Sequence, residues 1–215
     1  KIYSFVSDNK DYIMHQKGLN LYLYNCLNGD QLWQEALPEE HNKMIFHKNK
    51  MIIYSNKNTN VTIKHPVSMK EIGVYTLDSP PTHPILFGDN VIMKSNNSLV
   101  SLKTIKPILR SMKNWSVNLE RGNIFKKTFI LGDILFGFTT FGDLLCIKAH
   151  TGKIIHVNNL DIYGEAKFII DDNGQHIAIY ADDFLIGIDP HNGKTLWKIR
   201  ELNIDSTYDL ISFSD

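Results

Sequence analysis

The feature that most constrains this chain is a repeat of about 41 residues. Three stretches share one pattern: Leu23–Trp33, Cys146–His156 and Gly187–Trp197. Each runs from a small or apolar residue, through a turn that closes on glycine, to an aromatic residue or histidine four positions later. Two weaker copies pass through Ser68-Met69-Lys70 and end at Ser111-Met112-Lys113-Asn114-Trp115. The last position then falls at Trp33, Gly73, Trp115, His156 and Trp197, at intervals of 40, 42, 41 and 41 residues. Leucine recurs four residues on at Leu37, Leu77, Leu119 and Leu160, with Leu202 one step late. A second landmark gives the same register. Polar pairs precede apolar runs at Asn9-Lys10, Asn49-Lys50, Gly88-Asp89, Gly132-Asp133 and Asn173-Gly174. The longest interval places a few extra residues in the third repeat, where the strand signal Leu99-Val100-Ser101-Leu102 sits early relative to Trp115. A period of this length marks a stacked-repeat architecture and takes precedence over any local motif.

Within a repeat the apolar runs are short, alternate with a period near two, and are separated by turn residues. The second repeat offers four, starting at Lys43, Lys50, Asn60 and Glu71, and the fifth offers four starting at Phe168, His176, Phe184 and Thr195. No stretch sustains a helical 3.6-residue pattern over three turns, which removes the helical repeats of similar period. Four antiparallel strands in about 41 residues define one blade of a β-propeller. The sequence therefore predicts an all-β propeller of four-stranded antiparallel blades spanning 1–40, 41–80, 81–121, 122–162 and 163–203, with the opening strand of a sixth at 204–215. A hydrophobic fraction of 43% supports a substantial core.

The fifth copy, Gly187-x-Asp189-x-x-x-Gly193-Lys194-x-x-Trp197, resembles the tryptophan-docking motif of the PQQ-like, or quinoprotein-type, propeller repeats, whose consensus is Ala-x-Asp-x-x-x-Gly-Lys-x-x-Trp. The first copy keeps Gly29 and Trp33, the fourth keeps Gly152 and Lys153 but carries His156 in the tryptophan's place, and the second and third keep little beyond the period. The residue chemistry agrees. Glycine suits a hairpin turn with positive φ, and tryptophan offers a broad apolar face with an N–H that needs a partner. Gly29, Trp33, Trp115, Gly152, His156, Gly193 and Trp197 are therefore expected to dock blade on blade. The family resemblance implies a ring of seven or eight blades. With five repeats and a start at Lys1, the expectation is part of a larger ring, without its native N-terminus and any signal or lipid anchor there.

Chemistry-bearing constellations are sparse. Cys26 and Cys146 make neither a Cys-x-x-Cys nor a zinc spacing, and adjacent cysteines of the kind found beside the cofactor of quinoprotein dehydrogenases are lacking. His41 and His47 lie near each other with no second pair at ligand spacing. His65, His150 and His191 precede the hairpin turn and read as solvated turn residues. The acidic pairs Glu39-Glu40, Asp171-Asp172 and Asp182-Asp183 resemble the paired carboxylates of glycosidases, yet the last two read as turn chemistry. No Gly-x-Ser-x-Gly, phosphate-loop or dinucleotide fingerprint occurs. Lys+Arg and Asp+Glu each number 23, so the net charge is zero, against the basic excess that nucleic-acid binding needs. No window is long and apolar enough for a membrane helix. Catalytic, cofactor and metal sites are accordingly expected to be none.

The resulting expectation is a non-enzymatic protein-interaction scaffold. It most resembles the BamB-type lipoproteins of outer-membrane β-barrel assembly, which implies a periplasmic location, protein partners such as a barrel-assembly component, and membrane association only through an N-terminal anchor or that partner. The first alternative is a luminal stress-sensor domain of the unfolded-protein-response kinase type in the endoplasmic reticulum, which would dimerise through sheet surfaces. The second is a propeller enzyme, a glycosidase or quinoprotein.

Overall fold

A computed structural model describes residues 1–37, 43–104, 113–171 and 173–200. The described chain is all β, with five four-stranded antiparallel sheets in propeller-blade order. The first sheet holds β1 (Ile2–Ser7), β2 (Lys10–Lys17), β3 (Asn20–Asn25) and β4 (Gln31–Ala36). The second holds β5 (Lys43–His47), β6 (Lys50–Tyr54), β7 (Asn60–Lys64) and β8 (Glu71–Thr76). The third holds β9 (Thr82–Phe87), β10 (Asn90–Ser95), β11 (Ser98–Lys103) and β12 (Lys113–Asn118). The fourth holds β13 (Phe125–Leu131), β14 (Ile134–Thr139), β15 (Asp143–Lys148) and β16 (Ile154–Asn159). The fifth holds β17 (Lys167–Ile170), β18 (Ile177–Ala181), β19 (Phe184–Ile188) and β20 (Thr195–Arg200). Strands neighbour one another in chain order within every sheet, which is the up-and-down meander of a blade. The extra residues of the third repeat lie between β11 and β12, which are joined by 104–112 where β3 and β4 are joined by 26–30. Leu202 and the sixth-strand expectation at 204–215 lie outside the described residues, as do Glu39, Glu40, His41 and Asp172.

By compactness the chain forms two units, Lys1–Asn114 and Trp115–Asp215. In each, the core lies between successive sheets rather than within one. Strand pleating puts alternate residues on opposite faces, and β6 uses both of its faces. Met51 and Ile53 pack with Met14, Leu21 and Leu23 of the first sheet, while Ile52 and Tyr54 pack with Val91, Met93, Val100 and Leu102 of the third. A strand covered on both faces reads as a continuous apolar run, which is why Met51-Ile52-Ile53-Tyr54 is buried throughout. In the second unit, Phe136, Phe138, Leu144 and Cys146 of the fourth sheet meet Ile177, Ile179, Ile186 and Ile188 of the fifth.

The hairpin turns carry the polar pairs, one residue earlier than read at the first two sites. Asp8-Asn9 (φ 51° and 61°) joins β1 to β2, and Lys48-Asn49 (φ 44° and 59°) joins β5 to β6. Positive φ at both central residues matches the right-handed twist of the flanking strands and favours Asn, Asp or Gly. Asp182-Asp183 makes the same kind of turn between β18 and β19 (φ 49° and 64°).

Candidate functional site

The repeat-locked residues converge on the turn between the third and fourth strands of a blade. The backbone N–H of Gly29, Met69, Gly152 and Gly193 donates to the carbonyl four residues back, on Asn25, His65, Lys148 and Asp189, at 2.8–2.9 Å. All four residues sit in the left-handed region, at φ 74°, 56°, 71° and 75°. The second repeat thus makes the motif turn without its glycine. Met69 accepts an unfavourable backbone conformation and packs, as Trp33 does, against the core of the first two sheets.

The turn receives the preceding blade. The Trp33 indole N–H donates to Val67 O at 2.7 Å, and the Trp115 indole N–H donates to Ala149 O at 2.9 Å, so each bond reaches 34 residues ahead into the next turn. The Trp115 ring lies flush on Gly152, where a Cβ would stand 2.7 Å from it. On Gly193 the contact is made by Cys146, whose Sγ would be 1.8 Å from a Cβ. His156 is half-buried as the cross-strand partner of Cys146. The polar tie at this seam comes from Asn158, whose side-chain amide donates to Gly193 O and Thr195 Oγ1, both at 2.9 Å. Trp197 lies over its cross-strand partner Gly187, where a Cβ would fall 2.2 Å from the indole. That explains glycine in place of the consensus alanine. Trp197 remains 43% exposed, and nothing lies within 4 Å of a Cβ on Gly29. Cys146 stands at the first motif position of the fourth copy, where spacing alone does not mark it as the contact for Gly193, while Asn158 occupies no motif position and had no sequence signal. Met69 had one, since it stands where the period requires the turn glycine.

The other singled-out residues brace turns. His65 is more than a solvated turn residue. Its Nδ1 accepts the N–H groups of Val67 and Ser68 at 3.3 Å, which leaves the proton on Nε2, 3.4 Å from Asp8 Oδ2. His47 Nε2 lies 2.7 Å from Gly88 O. His150 lies 3.5 Å from Asp133, and the His191 backbone N–H donates to Asp189. No three His, Cys, Asp or Glu residues group as a metal site among the described residues. Asp171 accepts the backbone N–H groups of Gln175 and His176 at 2.6 and 3.0 Å and faces the His176 ring at 3.1 Å. The backbone bond from His176, helped by that ring and by Gln175, holds its carboxyl below the ordinary carboxylate value of 3.8. A depressed folded-state value contributes stability above pH 3.8 that is lost as pH falls through the folded value. In a carboxyl NMR titration Asp171 should therefore titrate below 3.8, and His176→Ala should return part of the shift. A midpoint at or above 3.8 would contradict the geometry.

Burial, with the nearby Asp189 charge, pushes the Cys146 thiol up to about 12. Cys26 is exposed. A thiolate-directed reagent at pH 8 should label one thiol per native chain, at Cys26, and two after denaturation. Native labelling of Cys146 would show that this seam opens.

One cleft of about 290 Å³ lies in the first unit, lined by Ser4, Phe5, Phe46, His47, Lys48 and Lys50 among others. Its floor is the stacked pair Phe5 and Phe46, with ring centroids 4.4 Å apart and planes 6° from parallel. The lining includes no Asp or Glu, so the cleft supplies no carboxylate acid–base pair.

Comparison with known proteins agrees with this architecture. The family described as "Outer membrane protein assembly factor BamB" matches residues 112–212. No curated protein matches the chain in sequence. Among solved structures the chain is similar to BamB from Moraxella catarrhalis, with a TM-score of 0.61 and 13% identity over 91% of this chain and 60% of that one. It is similar to Hsv2 from Kluyveromyces lactis, with a TM-score of 0.58 and 14% identity over 88% and 60%. The computationally designed protein Ika8 gives 0.63 and 13% over 92% and 61%. The chain thus spans about 60% of the length of the structures it resembles.

Proposed function

We propose that this chain, a PQQ-like β-propeller protein, is a non-enzymatic scaffold that binds other proteins, and that it serves the assembly of outer-membrane β-barrel proteins from the periplasmic side. The observation that carries the reading is the match of residues 112–212 to the BamB description, together with the likeness of fold to BamB over 91% of the chain. The site chemistry supports a binding role. Several candidate residues among those described are engaged in structure, Cys146 in a seam between sheets and Asp171, His65 and Asp182 in turns and connections. An assembled propeller offers stiff blades with variable connecting loops, a form suited to holding a partner rather than transforming a substrate.

The test is made in the cells that make the protein. Its depletion should lower the amount of folded β-barrel protein in the outer membrane, and the protein should fractionate with that membrane and cross-link to a barrel-assembly component. Fractionation elsewhere, with barrel levels unchanged, would overturn the assembly role. A luminal sensor would instead sediment as a concentration-dependent dimer.

A further inference from the structure

In the second unit, three loops meet on one surface. The first precedes β13, the second is the turn from β14 to β15, and the third is the connection from β16 to β17. Asn123 Oδ1 accepts the Thr140 hydroxyl at 3.0 Å and the Phe141 N–H at 3.3 Å, which ties the first loop to the second. A Cβ on Gly142 would stand 2.6 Å from Ile162 O, so the second is packed on the third. Phe141 and Tyr163 therefore lie one residue to either side of a backbone contact.

The third loop is held unusually firmly for a connection. Lys126 Nζ donates to Tyr163 O at 2.8 Å and Gly164 O at 3.0 Å. From the opposite charge, Asp182 Oδ2 accepts the N–H groups of Tyr163 and Gly164 at 3.0 and 3.2 Å. All four backbone polar groups of the two residues are thus engaged by side chains. Gly164 is required there, since a Cβ would fall 2.3 Å from Asp182 Oδ1. This fixed segment turns a tyrosine outward: Tyr163 is 65% exposed, beside Phe141 at 46% and Ile124 at 37%. An exposed aromatic on a pre-ordered backbone is the anchor type that dominates protein interfaces, because little entropy is lost on binding. The loops and the strand ends beside them carry more exposed carboxylates, Glu120, Asp161, Glu165, Asp182 and Asp183, than exposed cations, Arg121, Lys126 and Lys167.

We infer that Tyr163, Phe141 and Ile124 form a docking surface for a protein segment that presents apolar side chains flanked by Lys or Arg. This rests on the scaffold reading above and names the surface that reading needs. The apolar patch supplies the anchor, and the excess of carboxylates selects a basic segment and disfavours an acidic one through complementarity.

The purified chain would be tested on two arrays of 12-residue peptides, one with Leu or Phe flanked by Lys or Arg and a matched set flanked by Asp or Glu. The basic set should bind at least about tenfold tighter, which is about 1.4 kcal/mol. Tyr163→Ala with Phe141→Ala should abolish the difference, Glu165→Lys with Asp161→Asn should erase or reverse it, and Leu196→Ala, an equally exposed apolar change outside the surface, should leave it intact. Equal binding to both sets, or a preference that survives the double alanine change in a chain with an unaltered melting curve, would overturn the proposal. Photo-cross-linkers placed in cells at 141, 163, 27 and 196 separate the two readings. Capture at 27 or 196 alone would remove this surface and leave the scaffold. Capture at none would remove both.

Discussion

Gly193→Ala should destabilise the second unit by about 2–6 kcal/mol in urea denaturation, the sum of left-handed backbone strain and forced overpacking. At φ 75° an alanine is strained before any neighbour is considered, and its methyl would stand 1.8 Å from Cys146 Sγ. Neither atom yields easily, because Cys146 is fully buried among Phe136, Phe138 and Leu144. Gly29→Ala is the control. Its φ of 74° is nearly the same, yet nothing lies within 4 Å of the new methyl. It should cost only the backbone share, about 1 kcal/mol after the gain in unfolded-state stiffness. The difference between the two substitutions measures the seam. Cys146→Ala removes the opposing sulfur, so Gly193→Ala in that background should lose less than the single change does, with a coupling of about 1–2 kcal/mol. Equal costs for Gly193→Ala and Gly29→Ala would mean that the fourth and fifth sheets are not packed as described.

The same glycines separate the parts of the molecule that were legible in the sequence from those that were not. The period, the all-β class and four strands per blade come from alternation and turn chemistry, both local and repeated five times. Repetition averages out the errors that make a single short strand ambiguous. The seam contacts are different, because they join residues 34 or more positions apart and depend on shape. The glycines at 152 and 193 look alike in sequence, but one faces an indole and the other a thiol. Met69 illustrates the reverse failure. Its segment keeps only Lys70 of the motif and still makes the turn, since the hydrogen bond to His65 and the packing of Met69 on the core outweigh the strain of one residue. The surface around Tyr163 left no trace in the sequence. The Lys126 and Asp182 that pin it are 37 residues before and 19 after, on different sheets, and neither forms a motif with it.

Trp115→Ala should cost about 3–5 kcal/mol, the range for truncating a large buried aromatic. The side chain is 9% exposed, its ring covers Gly152, and its N–H satisfies Ala149 O. Trp115→Phe separates these contributions. Phenylalanine keeps most of the apolar contact but leaves the Ala149 carbonyl without its donor, which costs about 1–3 kcal/mol when the acceptor is buried. Trp197→Ala provides the contrast. It has the same residue type and the same place in the repeat, but is 43% exposed over Gly187. By buried area its loss should be on the order of 1 kcal/mol. Urea curves followed by circular dichroism would report all three without relying on the fluorescence of the residue removed. A cost ordered Trp115→Ala, Trp115→Phe, Trp197→Ala would place the stabilisation in the covered seam rather than in the tryptophan itself. If Trp197→Ala proved as damaging as Trp115→Ala, Trp197 would have to be covered in solution. The five repeats would then contribute on equal terms, and the exposed edge of the fifth sheet would be the next face to map by cross-linking.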